Sequence, residues 1–252
     1  VLANWGETNR RFMIHSMRKS LINGLYGLSN INTAQSLKSL RINDILFLTE
    51  EEQKATVEDL LMSRSGIYLP AAYELQGKKK PERGSYKPGE NWFYNNWDFN
   101  VLGTIFEKET GKTIESEFEQ EIALPISMND FNGLDVYTLT QQSKSIHPAH
   151  IFKMSARDLA RYGLLFLNEG KWNRTQIIPE EWIKKSRTRY SSSEQGDYGY
   201  LWWISNNRFK DLQTYYASGL NGQRLFIIPG ANLVVVNIVN TYEKSSISED
   251  DL

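Results

Sequence analysis

The chain has 252 residues, 40% of them hydrophobic and 23% charged, which is the composition of an ordinary soluble globular protein of one large domain or two intertwined ones. A formal net charge of −1 argues against recognition of nucleic acid or an anionic membrane through bulk charge. The absence of cysteine excludes disulfides, thiolate chemistry and cysteine-bound metals, and no apolar run approaches the length of a membrane span.

The sequence opens at VLANWG without an initiator Met or a signal-peptide pattern, and stops at SISEDDL straight after a strand-like run. Both ends therefore read as cut, and VLANWG is expected to be the tail of a strand. IHSMRKSLINGLYG (14–27) reads as a helix, with Leu21, Ile22, Leu25 and Tyr26 at helical spacing, Ser16 as its N-cap and Lys19 one turn on, on the same face. TEEEQKATVEDLLM reads as a helix start capped by Thr49 with Glu52 as its partner, broken at Gly66. The Lys/Pro/Gly-rich stretch from Gln76 to Pro88 reads as an exposed loop, with Lys78–Lys80 as a solvated charge run.

Helical patterning returns over Asn100–Lys108, closed by Gly111, and over IESEFEQEIALPI, ended by Pro125. It is strongest in MSARDLARYGLLFLNEG, where Ser155 suits the N-cap and Gly170 the C-terminal cap, and a short Pro-started helix follows in IPEEWIKKSR. The last third changes period. YGYLWWISN and LQTYYASG read as strands, and GQRLFIIPGANLVVVNIVNT reads as a hairpin turning at Pro229–Asn232. Helices in the middle and antiparallel strands at the end predict an α+β fold, with extra strands expected from before residue 1.

The common catalytic signatures are missing. There is no G-x-S-x-G and no H-E-x-x-H, and His15, His147 and His150 suggest no metal cluster, the last two reading as loop residues. ETGKT (109–113) fails as a phosphate loop because Phe106 stands where its first glycine belongs. What remains is Ser16-Met-Arg-Lys19. Alone, S-x-x-K is a common chance pairing, whose plain reading is a capping serine and a solvated lysine. Two further stretches give it context: Tyr94-Asn95-Asn96, and the small-residue triplet Ala217-Ser218-Gly219 just before the hairpin.

Ser16-x-x-Lys19, Tyr94-x-Asn96 and a glycine-containing triplet, in that order, resemble the serine β-lactamase and penicillin-binding-protein superfamily. The branch resembled most is the one with a tyrosine in its second motif: class C β-lactamases, DD-carboxypeptidases and family VIII esterases. ATVEDLLMSRSGI, PGENWFYNNWDFNVLGTIFEKETG and FKMSARDLARYGLLFLNEGKWNRTQIIPEEWI carry the resemblance across His15–Thr241. It implies a β-lactamase/transpeptidase-like fold over 1–252, truncated at both ends, with an antiparallel sheet flanked by helices and a helical subdomain over roughly 28–190.

The resemblance further implies an acyl-enzyme on Ser16, with Lys19 and Tyr94 catalytic and Asn96 in support. The oxyanion would meet the backbone amides of Ser16 and Leu220, and Gly219 would let the strand approach the substrate. Such chemistry needs a base to take the serine proton, and burial or a neighbouring positive charge favours the neutral lysine that can do so. Tyr68 and Asn221 are candidate pocket residues. No metal or organic cofactor is implied, and the expected partner is a small ester, amide or lactam. The look-alikes work outside the cytoplasm.

One departure bears on substrate. Ala217-Ser218-Gly219 stands where β-lactamases and DD-peptidases have Lys-Thr/Ser-Gly, so the cation that would meet a substrate carboxylate is missing. A neutral ester, amide or lactone is favoured over a β-lactam or D-Ala-D-Ala peptide, and Arg224, four residues past Leu220, is a poor replacement. A catalytically inactive binding or sensor module on the same fold is the reading from another class. An intact Ser16/Lys19/Tyr94 set counts against it.

Overall fold

Helix α1 (Arg18–Leu28) is buried from Arg18 to Gly27, charged residues included. The structure, a computed structural model, describes residues 1–74, 79–194, 196–207 and 209–241. The other helices are α2 (Val57–Leu61), α3 (Asn96–Thr110), α4 (Ile114–Phe118), α5 (Ala156–Leu167) and α6 (Glu180–Ser186), of which α3, α4 and α6 pack against α1. Their ends follow the local chemistry. Thr56 and Asp59 form a reciprocal capping box on α2, Ser155 caps α5 by accepting from the Asp158 amide, and α3 ends at Gly111 with φ of 69°.

The C-terminal strands build the larger sheet. β6 (Ser191–Ser193), β7 (Gly196–Tyr198), β8 (Trp203–Ile204), β9 (Tyr215–Ser218), β10 (Arg224–Ile228) and β11 (Leu233–Asn237) pair with their sequence neighbours, all antiparallel. The expected hairpin is β10–β11, turning at Pro229–Asn232. α5 packs against both of its strands. The single strand expected over YGYLWWISN is instead two short strands, β7 and β8, closed by a Gly199 amide bonded to the Trp202 carbonyl at 2.9 Å.

A second sheet was not anticipated. β1 (Arg11–Met13), β2 (Val136–Gln141) and β3 (Ser145–Ser155) assemble in the order β1-β3-β2, so the span 28–190, expected to be helical, carries two strands of this sheet as well. His147 and His150 are therefore buried strand residues of β3, not loop residues. The stretch SIHPAH is a poor strand former by composition. Pro148 is tolerated because it lies beside a register shift between Leu139 and Gln141, away from the Arg11–Met13 pairing.

Three other expectations are corrected. VLANWG forms no strand and is exposed; the first strand begins at Arg11. Thr49 and Glu52 do exchange capping hydrogen bonds (2.7 and 3.2 Å), but these lead only into a short 3-10 turn, and the helix starts at Val57. Of the Lys78–Lys80 run, Lys78 lies outside the described residues, Lys79 is exposed and Lys80 pairs with Glu74 at 2.8 Å. A short β4–β5 hairpin (Lys171–Trp172 and Thr175–Gln176) completes the fold, and among the described residues no helix is long and apolar enough to cross a membrane.

Two glycines separate backbone strain from crowding. Gly84 has φ of +81° with nothing within 4 Å of an added Cβ, whereas Gly170 has φ of +78° and a Cβ there would lie 1.9 Å from the Ile178 carbonyl oxygen. Gly84→Ala is expected to cost about 1 kcal/mol, the left-handed penalty alone. Gly170→Ala is expected to cost about 3 kcal/mol or more, since backbone overpacking adds to that penalty. Urea denaturation of the two variants beside wild type checks the difference.

Candidate active site

Ser16 lies in the 3-10 turn His15–Met17 that leads into α1, half-buried and reachable from solvent. It is not the N-cap expected from the sequence: α1 starts at Arg18, its N-cap position is Met17, and no side chain caps it. The Ser16 hydroxyl serves Lys19 instead. Lys19, only 2% exposed, reaches back along the helix and places Nζ 2.9 Å from Ser16 Oγ and 2.7 Å from the Tyr94 hydroxyl. Spacing of three on one helical face makes the first contact. The second joins residues 75 positions apart.

Tyr94 is held by the residue after it. Asn95 caps α3, its Oδ1 accepting from the Trp97 amide at 3.2 Å while its Nδ2 donates to Ile67 O and Asp98 Oδ1 at 2.6 and 2.8 Å. Aromatic rings wall the pair in. Trp203 stacks on Tyr94 at 5.4 Å, Phe99 and Tyr198 meet it edge-on at 4.9 and 6.0 Å, and Lys19 Nζ lies 4.2 and 4.5 Å from the Tyr94 and Phe99 ring centres. This burial pushes the Tyr94 hydroxyl up to about 12, against opposing contributions from the Ser16 hydroxyl and the Arg18 charge. Tyr94 therefore keeps its proton at neutral pH.

The third stretch comes alongside through Gly219. A Cβ on Gly219 would lie 2.5 Å from the carbonyl oxygen of Ile14, two residues before Ser16. The close approach that needs glycine is thus to the protein's own chain. Leu220 follows, 43% exposed, and Asn221 is exposed in the same turn with φ of 60°. Ala217 is 2% exposed and part of the apolar core, while Ser218 is half-buried on the alternate face of β9. Arg224 stands opposite Ser218 on β10, its Nη1 donating to the Gly219 and Gln223 carbonyls, each at 2.9 Å.

Two expected site residues are engaged elsewhere. Asn96 donates its Nδ2 to the Tyr73 carbonyl at 3.0 Å, leaving Oδ1 buried and unpartnered. Tyr68 is buried, accepts from Asn91 at 3.2 Å and packs edge-on against Tyr86 and Phe93. His15 contacts Tyr73 Oη at 2.6 Å and Thr241 Oγ1 at 3.1 Å. Among the described residues the set of three possible metal ligands is Glu107, Glu115 and His150, with ligand atoms within 4.8 Å of one another. It comes from α3, the start of α4 and β3.

A model of the Beta-lactamase family matches residues 7–251. The chain belongs to the β-lactamase family. This family member is 25% identical over 267 residues to an uncharacterized protein of Alkalihalophilus pseudofirmus, covering 94% of this chain and 75% of the other. Among solved structures it is similar to a candidate 6-aminohexanoate-dimer hydrolase from Bacillus anthracis (TM-score 0.69, 19% identity, covering 96% of this chain and 70% of that one). A family VIII carboxylesterase gives TM-score 0.69 at 14% identity, covering 93% and 78%. The octameric penicillin-binding protein homologue from Pyrococcus abyssi gives 0.66 at 20%, covering 90% and 61%. The fold is β-lactamase/transpeptidase-like, as the motifs implied.

Sequence reasoning missed the polar residues beneath this β-lactamase-family site. Arg18 and Asp98 are fully buried, yet each reads as surface charge when taken alone. Their signal is context: two consecutive cations inside an apolar helix, and an aspartate between Trp97 and Phe99. Burial raises the Asp98 carboxyl well above the usual carboxylate range although Ser65 donates to it at 2.6 Å. Its folded-state proton affinity exceeds that of the unfolded chain, so its contribution to stability is full at acid pH and is lost as pH rises. Asp98→Asn, neutral at every pH, is expected to flatten this fall, which sets in above the ordinary carboxylate pKa of about 4. Denaturant midpoints of both proteins against pH measure it.

Proposed function

We propose that this β-lactamase-family protein is a serine hydrolase that cleaves a neutral ester or amide through an acyl-enzyme on Ser16. The observation that carries the reading is the Lys19 amine, 2.9 Å from Ser16 Oγ and 2.7 Å from Tyr94 Oη. The Ser16–Lys19 separation equally suits a serine hydroxyl donating to the lone pair of a neutral amine. Ser16 Oγ attacks the substrate carbonyl carbon as its proton passes to Lys19 Nζ. The carbonyl oxygen takes the negative charge and is met by the amides of Ser16 and Leu220.

Collapse of that intermediate breaks the bond to the leaving group. Tyr94, protonated at neutral pH, gives that group its proton and is reprotonated from Lys19. Water then attacks the acyl-Ser16 carbonyl, with the same residues moving its proton, and releases the acid. Asn96 assists by fixing the Tyr73 segment through its 3.0 Å hydrogen bond. Preference for a neutral substrate follows from Ala217, buried where a lysine would otherwise meet a carboxylate, and from Arg224, whose Nη1 is bonded to backbone carbonyls.

Intact-protein mass after exposure to a fluorophosphonate is expected to show one adduct on wild type and none on Ser16→Ala. An unlabelled, folded wild type would overturn the reading in favour of a binding module. Tyr94→Phe is expected to lower ester turnover by about 10²–10⁴-fold. Substrate charge is tested by p-nitrophenyl butyrate beside a p-nitrophenyl ester carrying a free carboxylate. The neutral ester should give the larger kcat/KM, and the reverse order would restore a β-lactam or peptide substrate.

A further inference from the structure

A cation buried without a counter-charge is costly, and α1 contains one directly before Lys19. Arg18 is 0% exposed. Among the described residues no carboxylate forms an ion pair with it. Its guanidinium makes one hydrogen bond, from Nη2 to Asn100 Oδ1 at 2.9 Å, and leaves Nε and Nη1 buried and unpartnered. Asn100 is itself anchored, donating to the Ala72 carbonyl at 3.0 Å. The guanidinium carbon lies 5.9 Å from the Tyr73 ring centre.

Packing alone does not explain this choice. A buried charge with incomplete partners costs several kcal/mol as a rule, and an apolar side chain of similar volume is often the more stable alternative. Such violations of local rules concentrate at functional sites. The groups facing Arg18 are Asn100 on α3, Tyr73 and Tyr94 on the connecting segments, and His150 on β3. None neutralises it. Burial and the Arg18 charge push His150 down to about 4, so that imidazole is neutral, while burial lowers Arg18 only to about 10, so it stays cationic. Tyr73 is tied at its hydroxyl to His15. Asp98, the carboxyl buried beside Asn95, is raised well above the usual carboxylate range by its burial and accepts from Ser65 and Asn95.

We infer that Arg18 is a positioning residue whose uncompensated charge sets the protonation of the Ser16–Lys19–Tyr94 group, disfavouring a second cation at Lys19 and favouring loss of the Tyr94 proton. This rests on the hydrolase reading above and goes beyond it by naming what makes the lysine a base. Like charges close together oppose one another, and a low-dielectric surrounding strengthens the effect. The Arg18 charge already opposes the burial-driven rise at Tyr94. Arg18 donates to Asn100 and takes no part in the hydrogen bonds joining Lys19 to Ser16 and Tyr94, so its removal is expected to act on their proton balance.

The test is the rate of fluorophosphonate labelling at Ser16 against pH, for wild type, Arg18→Met, Arg18→Gln and Arg18→Lys, with folding followed by circular dichroism. The two neutral variants are expected to show a half-maximal pH about one unit higher, and so a rate about tenfold lower on the acid side, recovering at high pH. Arg18→Lys, which keeps the charge, should stay near the wild-type profile. Arg18→Gln keeps a donor for Asn100 and serves where Arg18→Met does not fold. A neutral variant with the wild-type profile, or Arg18→Lys displaced as far as Arg18→Met, overturns the inference and leaves the hydrolase reading standing. A wild type labelled at no pH overturns both.

Discussion

The contact on which the site depends is that of one buried amine with two hydroxyls. Lys19 is enclosed by the Tyr94 and Phe99 rings, and its Nζ lies within hydrogen-bond reach of Ser16 and Tyr94. Burying a lysine is expensive unless its nitrogen is satisfied. That requirement fixes two elements against each other. Ser16 must stay in the 3-10 turn ahead of α1, and Tyr94 must sit one residue before the N-cap of α3. The fully buried α1 and the Asn95 cap are the local devices that hold these positions.

The third stretch is tied in by a different device. Gln223 is fully buried and its side chain spans three segments: Nε2 donates to the carbonyls of Met13 and Val239, each at 2.9 Å, and Oε1 accepts from the Val239 amide at 3.0 Å. Gly219 lies against Ile14 beside it, and its amide bonds to the Gln223 carbonyl at 2.8 Å. The turn containing Leu220 is thus located relative to Ser16 by backbone contacts and one amide side chain.

How much of this was legible follows from how local each signal is. The Ser16–Lys19 contact obeys helical spacing and is readable from four residues. The β10–β11 hairpin is readable because its alternation and its Pro-Gly turn sit together. β2 and β3 are not, because SIHPAH is a weak strand sequence whose pairing with Val136–Gln141 and Arg11–Met13 is decided by burial between helices. Ser16 as N-cap failed for a related reason: an N-cap competes with other partners for the same hydroxyl, and here Lys19 takes it. Tyr68 packs edge-on against Tyr86 and Phe93, contacts between distant segments that no local pattern announces.

The charges near Ser16 are more informative than the scaffold about what the site is built to do. Burial raises the Asp98 carboxyl, His150 is neutral, and Arg224 has its Nη1 on backbone carbonyls, while Arg18 remains charged. The fixed charge closest in sequence to Ser16 is therefore positive, and among the described residues no carboxylate forms an ion pair with it. A positive field with few reorganising dipoles stabilises negative charge developing on a bound carbonyl oxygen, whatever acyl group carries it. Selection among substrates then falls to groups that touch the acyl and leaving parts. On the proposed hydrolase reading, the third-motif position Ala217, buried in the core, and the Tyr198 and Trp203 rings beside Tyr94 bring no cation to the site. Generic electrostatics at the reacting bond and local walls around it are separate constraints, so one fold can keep its chemistry while its substrate changes.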